Sequence, residues 1–504
     1  MGLPDRQRSY ARMNMMQIDI LRYEDMTPEV LQELRACARS AGSRLPFCLP
    51  EMPLIWWRNF SSSNGEPFGI RRGRNFLGAQ CWLRDFFYLV AREGTRICGA
   101  APMASFTVRL PNVQDPFKVF TFAGDYVLAP YQDFLALPEA RGEVLSALIS
   151  ACVYLMGDGY DMVSFGHIPE ESASIPVLDR LFEDLPPEIP RKRCITSQKG
   201  GVHPWTLATL QKLMLMLYYK VAVDQPEYKP VYELSCRLRQ CRPDSLLFPR
   251  NRMELEAGLQ ALVAAHAHVD GIRDEVQSIH RLLGTNPIQY PFIELPRERE
   301  GYLQQLGKKT RFNYRHDRKR LLGSGGGVEK ISSGGVTEAD VMDYLNLHMM
   351  RWGKRSVAIS DRTVEFHRQL CMAAAREGYL TLFFIRWCGK RIAAQSCFDI
   401  GDRREAYFTG LDPDHEQSGA GIVLFHETIL DAIDNGFTRY EFGYGGDEYK
   451  FKFTRTTSKT YSYFLAGRKG MPDLEKIFLG FECMVECPGR ARIMEEEDGE
   501  EAGL

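Results

Sequence analysis

Ser418–Phe453, SGAGIVLFHETILDAIDNGFTRYEFGYGGDEYKFKF, is the stretch on which the reading of the whole chain turns. Gly419 and Gly421 flank a small residue and open an apolar-periodic run. Ile422, Phe425, Ile429 and Ile433 share one helical face with Leu424 and Leu430 beside them, while Glu427, Asp431 and Asp434 take the other. Asn435-Gly436 stops the helix, because glycine adopts the left-handed conformation after a last turn at no steric cost. Phe437–Phe442 then reads as a short strand and Gly443–Lys450 as a glycine-bent polar loop.

A glycine turn that opens a helix leaves backbone N–H groups at the positive end of the helix dipole, a place suited to phosphate or pyrophosphate. The alternative is a tight loop before an ordinary amphipathic core helix. A pure packing unit has little use for Asp447, Glu448, Tyr449 and Lys450 directly after a strand.

This order of elements resembles the GNAT acyltransferase superfamily, whose pantetheine-pyrophosphate loop lies between a strand and such a helix. Within it the stretch is similar to the CelD/BcsL-like acetyltransferases, relatives of the FemAB aminoacyl transferases. Gly446-Asp447-Glu448-Tyr449-Lys450 fits their Gly-Asp-x-x-Tyr-Lys signature one residue short. In the pyrophosphate pattern Glu416 stands where Arg or Gln is usual, with Gln417 one place off. The resemblance implies an α/β (α+β) chain of tandem GNAT-like lobes with mixed sheets and an inserted helical subdomain. It implies acetyl-CoA or another acyl-CoA as co-substrate, held by Gln417, Gly419, Ala420, Gly421 and Ile422, with no metal.

The catalytic residues it implies are Lys450, Asp447, Tyr449 and Tyr444. The ammonium of Lys450 would stabilise the oxyanion or a substrate phosphate, and Asp447 would orient it or take the acceptor's proton. Tyr449 or Tyr444 would protonate the leaving thiolate. A surface lysine paired with Glu448 is the alternative for Lys450. Arg311, Arg315 and Glu441 are the expected substrate-binding residues.

Composition sets the frame. At 504 residues the chain is long enough for two to four domains, and 44% hydrophobic with 25% charged residues is the balance of a globular protein. A net charge of −2 supplies no global basic field for nucleic acid. The 13 cysteines have no paired framework and no second metal-ligand pair, which reads as reduced thiols in a cytoplasm. The apolar run Leu207–Val223 is broken by Lys212 and Lys220 and is too short to span a bilayer. His266 and His268, two apart, do not share a helical face and make no metal site.

Earlier in the chain, an extension over 1–40 contains a helix start at Thr27-Pro28-Glu29. Trp56 and Trp57 read as core, and Arg71-Arg72-Gly-Arg74 as a solvated turn. Over 41–190 a first lobe has a strand hairpin turning at Gly94, a helix from Glu139 to Asp158, and a strand from Gly159 to Phe165. The same order returns at Gly389 and at Gly436–Phe442, which points to an internal duplication. The first copy lacks the glycine turn and the Asp-Glu-Tyr-Lys loop, so the chemistry is assigned to the second; Asp125-Tyr126 and Tyr131-Gln-Asp133 read as surface turn or cleft lining.

A mainly helical insertion is expected over 191–290, with Leu207–Val223, a period-two run from Tyr232 to Leu238 and a helix over 252–283. The second lobe, 291–480, contains the strand Pro291–Pro296, a basic helix Lys308–Arg320 with Phe312 and Tyr314 interleaved, and a glycine connector from Gly323 to Gly335. Residues 338–377 read as helical, and Ala393–Ile400 as the central strand along which an acyl-thioester would lie. The acidic tail, 481–504, is predicted to be disordered.

The function expected is acyl-CoA-dependent transfer to an amine of a small molecule, glycan or lipid, with cell-envelope or exopolysaccharide metabolism as a setting. The rivals are a FemAB-like transferase using aminoacyl-tRNA and a double-GNAT protein that binds without catalysing.

Overall fold

Two long hairpins with continuous runs buried on both faces are the framework on which the helices pack. In the computed structural model, β1 (Gln17–Arg22), α1 (Pro28–Ser40) and α2 (Glu51–Phe60) precede the first hairpin, β2 (Gln80–Glu93) and β3 (Arg96–Arg109). Next come β4 (Phe117–Phe122), β5 (Leu135–Ala136), α3 (Arg141–Gly157), β6 (Met162–Pro169), α4 (Ile175–Asp184), β7 (Arg191–Ile195) and β8 (Ser197–Lys199). The second half begins with β9 (Thr285–Pro287), β10 (Tyr290–Glu294), α5 (Arg299–Gln305), α6 (Lys308–Gly323) and β11 (Gly327–Ser332). It continues with α7 (Glu338–Trp352), α8 (Val364–Arg376) and the second hairpin, β12 (Leu380–Trp387) and β13 (Lys390–Ile400). Then follow β14 (Arg403–Leu411), α9 (Ala420–Asp434), β15 (Arg439–Glu441), β16 (Thr457–Ser458) and β17 (Thr460–Ala466). Residues 16–467 are described, apart from 44, 46–48, 62–79, 110–115, 125–130, 158, 196, 200–284, 288, 324, 354–358, 360–362 and 446–448.

The strands form two mixed sheets with matching topology: β1-β2-β3-β4-β6-β17-β7 and β11-β12-β13-β14-β15-β10-β16. Each has four antiparallel strands, one parallel pair (β4 with β6, β14 with β15), and two further antiparallel strands. A parallel pair needs a crossover connection, and α3 and α9 supply it. Gly159–Phe165 and Gly436–Phe442 therefore occupy equivalent places, each leading into the second strand of the parallel pair. Gly94 and Gly389 turn the two hairpins with left-handed φ of 59° and 79°. Helices α1 and α7 start alike: Thr27 Oγ1 accepts from the Val30 N–H, and Thr337 with Asp340 forms a reciprocal capping box. The fold is thus α/β, two tandem GNAT-like lobes.

Several expectations change. Within the region 1–40, the described residues 16–40 belong to the first lobe, because β1 pairs along β2 and α1 buries Leu34, Cys37 and Ala38 there. The second lobe does not run on to 480: β17 lies between β6 and β7 of the first sheet, burying Tyr463, Phe464 and Leu465 there. In exchange β10 completes the second sheet. The glycine connector contains a strand, β11, because Val328 and Ile331 pair along β12. β13 has β12 on one side and β14 on the other, so its backbone is satisfied and the free edge belongs to β14. The helical stretch 338–377 divides into α7 and α8.

Expectations for Arg71-Arg72-Arg74, for Asp125-Tyr126, for the insertion between 200 and 284 and for the tail fall outside the described residues. At the ends of the insertion, β8 and β9 pair as a two-stranded ribbon.

The lobes share a core. Phe60 of α2 packs on Phe366 of α8 with ring centroids 5.5 Å apart, and Asn59 donates to Gln369 at 3.1 Å. On the opposite face of the second sheet, α5, α6 and α9 cover Phe383, Ile385, Tyr440 and Phe442. Arg404 is buried there, bidentate to Asp399 (2.6 and 2.7 Å) and bonded to Asp431 and the Thr428 carbonyl. The helix Pro138–Gly157 is long and apolar enough to cross a membrane, but Val144, Leu145, Leu148 and Cys152 sit in the first lobe's core.

Candidate functional site

At the start of α9 the chain must reverse from a 3-10 turn into a helix. Gly419 does this with φ 74°, ψ 5°, a conformation that only glycine visits routinely. A Cβ here would also lie 2.7 Å from Asp317 Oδ2. The Ser418 Oγ accepts from the Ala420 N–H at 3.1 Å, and Arg320 of α6 donates to the Ser418 carbonyl at 2.6 Å and the Gln417 carbonyl at 3.5 Å. Gly421 is different: a Cβ there would meet only Arg351 Nη1, at 3.8 Å. Gly421 and Ile422 are partly exposed, Ala420 is buried, and Arg320 and Arg351 approach the helix start from α6 and α7. An anion fits this positive end, with Gly421 permitting close approach.

A free strand edge leads away from this end. β14 and β15 run in parallel register only over Arg403–Glu405 and Arg439–Glu441. Beyond that β15 follows β10 instead, with Phe442 N–H donating to Pro291 O and Gly445 N–H to Gln289 O. Among the described residues no strand pairs with Ala406–Leu411 of β14 on that side. This edge is about 17 Å long at 3.3 Å per residue. It joins the last parallel pair to the turn before α9, a path that suits an extended pantetheine arm.

At the point of parting stand two carboxylates, Glu405 and Glu441, neighbours in register and therefore on one face of the sheet. Both are buried. Burial lifts Glu405 to about 8, with the charge of Glu441 adding to it and Arg403 opposing. Burial lifts Glu441 to about 7 against the pull of Arg439. Two carboxylates this close titrate as a pair and hold a proton near neutrality. Glu441 pairs with Arg439 at 2.5 Å and lies 3.7 Å from Arg403, which itself donates to Glu171 at 2.6 Å. Arg439 also lies 3.6 Å over the Phe292 ring.

The first lobe closes the cluster. Tyr131, expected as surface turn or cleft lining, is buried; its hydroxyl donates to Glu441 Oε2 at 3.2 Å and its ring lies 4.5 Å from that of Tyr290. Gln132 bonds the Ala123 carbonyl, and Asp133 accepts from Ser172 at 2.5 Å. His167, with φ 59°, contacts the Tyr290 hydroxyl through Nδ1 at 2.8 Å, and burial holds it neutral with a value near 4.

The loop after β15 divides the expected catalytic residues. Asp447 and Glu448 lie outside the described residues. Lys450 is buried, not on the surface, and its Nζ donates to the carbonyls of Tyr444 (2.6 Å) and Gly445 (3.0 Å). Its placement is that of a brace for the loop. Tyr444 is 37% exposed and faces the cluster, its ring 6.0 Å from Tyr290 and 6.4 Å from His167. Tyr449 points away, packing on Phe425 at 5.5 Å. On α6, Arg311 donates to the Leu303 carbonyl and Arg315 is exposed, so neither joins Glu441.

Glu405, Glu171 and Arg403 were missed by sequence reasoning. The available signal was Arg403-Arg404-Glu405 opening an otherwise apolar strand, where charge on alternating faces must find buried partners.

No curated protein matches the chain. Among solved structures it is similar to FemX, with 9% identity, TM-score 0.42, and coverage of 78% of this chain and 90% of that one. It is also similar to L-PGS from Bacillus licheniformis, with 8% identity, TM-score 0.40, and coverage of 86% and 96%. A tandem GNAT protein from the clavulanic acid biosynthesis pathway shares 10% identity at TM-score 0.32, with coverage of 90% and 99%. Residues 308–451, from α6 to the loop of Lys450, match the family model described as acetyltransferase (GNAT) domain, and over that span the second lobe is similar to this family.

Proposed function

We propose that the chain is an acyl-CoA-dependent N-acyltransferase working in the second lobe. The observation that carries this reading is the meeting of three features: the start of α9, the free edge of β14, and the carboxylate pair at its end. The pyrophosphate of an acyl-CoA would rest on the N–H groups at Gly421 and Ile422 beside Arg351, with its arm along Ala406–Leu411. The thioester would then lie next to Glu405 and Glu441. The ionised member of the pair removes a proton from the acceptor ammonium, and the neutral nitrogen attacks the thioester carbon. The C–S bond breaks and the thiolate leaves with a proton from the pair or from Tyr444. The attacking nitrogen gives up its second proton to replace it, and one proton returns to solvent. A base that titrates near neutrality suits this task.

The experiment is mass spectrometry of purified protein with an acyl-CoA panel and candidate small-molecule, sugar and lipid amines. Acylated amine and free CoA in equal amounts support the reading, and their absence across the panel contradicts it. A second reading, an aminoacyl-tRNA donor, has one observation in its favour. Phe312, 67% exposed, stacks on His316 at 6.2 Å beside exposed Lys309, Arg315 and Lys319. Steeply salt-dependent tRNA binding would favour it.

A further inference from the structure

Helix α6, Lys308–Gly323, has two faces of different character. Its inner face is matched to α9: Tyr314 and Arg318 bond Glu427, Arg320 donates to the Ser418 carbonyl, and Asp317 lies against Gly419. Asp317 is the one acid in the helix, so the outer face has none. There Lys308, Phe312, Arg315 and Lys319 follow one another at helical spacing with Lys309 and His316 beside them, and all six are exposed. Lys308, Lys309, Arg315 and Lys319 have no ion pair among the described residues. Phe312, in the middle, is 67% exposed. Basic side chains thus surround one outward aromatic ring along a stripe about 17 Å long.

The chain contains the complement of this stripe. Glu495–Glu501, EEEDGEE, holds six acids and no base, and Ile493-Met494 stand directly before it. Extended, the run measures about 23 Å, enough to follow the stripe from end to end. Its acids match the lysine and arginine charges, and the apolar pair matches Phe312, since a thioether packs favourably against an aromatic ring.

Reach is not limiting. The run lies outside the described residues, and the 28 residues from 468 to 495 join it to Gly467 with a contour of about 90 Å. A compact chain of this length has a radius of gyration of about 23 Å, so every face of it is within that contour. Tethered in this way, the run stands near α6 at an effective concentration on the order of millimolar. Contacts too weak to hold two separate molecules are populated under those conditions. A nucleic acid or a lipid surface must displace it to reach the same face.

We propose that the acidic run Glu495–Glu501 docks on the outer face of α6 of its own chain and holds that face against other polyanions. Its carboxylates meet Lys308, Lys309, Arg315 and Lys319, and Ile493-Met494 cover Phe312. The contact does not depend on the acyltransfer reading. It weakens with salt, because the screening length falls from about 30 Å at 0.01 M to about 3 Å at 1 M.

The test, on the full chain, is carbodiimide cross-linking read by peptide mass spectrometry. The reagent joins a lysine amine to a touching carboxylate with loss of water. At 10 mM salt, links from Glu495–Glu501 to Lys308, Lys309 and Lys319 should outnumber those to any other lysine, and they should fall at least tenfold at 1 M salt. In a mixture of nitrogen-15-labelled and unlabelled protein, links within one isotope are expected. Mixed-isotope links would place the run on a second copy and overturn the proposal.

A synthetic peptide of residues 491–503 supplies a second arm. It should bind a variant with the run neutralised (Glu495→Gln, Glu496→Gln, Glu497→Gln, Asp498→Asn, Glu500→Gln and Glu501→Gln) at least tenfold more tightly than the parent, whose stripe is occupied. Adding Lys309→Gln, Arg315→Gln and Lys319→Gln should abolish that binding; these side chains are exposed, so the thermal melt should not change. Links spread evenly over surface lysines, links indifferent to salt, or equal peptide affinity for parent and neutralised variant would overturn the proposal. So would binding of oligothymidylate or phosphatidylglycerol vesicles through the same three residues with equal strength in both proteins, which would assign the face to nucleic acid or lipid.

Discussion

Replacing Glu405 by Gln should stabilise the protein, and increasingly so as pH rises. Glutamine has the shape of the protonated acid and no charge to bury. In the folded state Glu405 is lifted from its ordinary 4.5 to about 8, first by burial and then by Glu441. Between those values the folded state keeps a proton that the unfolded chain has released. Stability contributed by that proton is present below pH 4.5 and is lost as pH rises through about 8. At about 1.4 kcal/mol per pH unit the upper bound is about 5 kcal/mol, and sharing the proton with Glu441 brings the expectation to about 3 kcal/mol. Chemical denaturation of parent and variant from pH 5 to 8.5 measures the difference, in which the titrating groups other than Glu441 cancel. It should be near zero at pH 5 and reach about 3 kcal/mol at pH 8.5, or about 6–12 °C in Tm for a lobe of this size. A difference that does not change with pH would refute the burial argument and with it the proton-holding pair.

Arg404→Met leaves Asp399 and Asp431 facing each other in the core and should cost about 3–5 kcal/mol; a thermal shift of only a degree or two would show that the pairing is weak. Lys450→Ala strips the donors from two loop carbonyls, so a loss of about 1–3 kcal/mol is expected, along with weaker protection of residues near Tyr444 in hydrogen exchange. An unchanged melt with collapsed turnover would instead restore Lys450 to a catalytic role. Truncation after Lys459 removes β17 from between β6 and β7; hydrogen exchange should then speed up in both strands of the first lobe while β12 and β13 stay protected.

The duplication was legible because it rests on local patterns: glycine-turned hairpins, a helix stopped by glycine, and a short aromatic strand. The helix from Ala420 was legible for the same reason. The exchange of β10 and β17 was not, since Tyr463 and Leu465 carry no mark of which distant sheet they join. The glycines around β11 hid a strand whose pairing, not its propensity, holds it in place. At the site, the glycine turn and Glu441 were legible, but Glu405 looked like any charge at a strand start. Tyr131 looked like a turn residue until the second lobe supplied Glu441 and Tyr290 as neighbours. Lys450 was read as functional from the resemblance and its place in the loop after a strand, and its carbonyl partners are visible only once the loop is folded.

The central claim is that acyl-CoA binds at the start of α9. Calorimetric titration of acetyl-CoA into the parent and into Gly421→Val measures it most directly. A Cβ at 421 meets only the far end of the Arg351 side chain, so the variant should keep the parent's thermal stability within a few degrees. The expected result is one acetyl-CoA per chain for the parent and at least tenfold weaker binding for the variant, about 1.4 kcal/mol. Equal affinity in a folded Gly421→Val protein, or no binding to the parent, would contradict the claim.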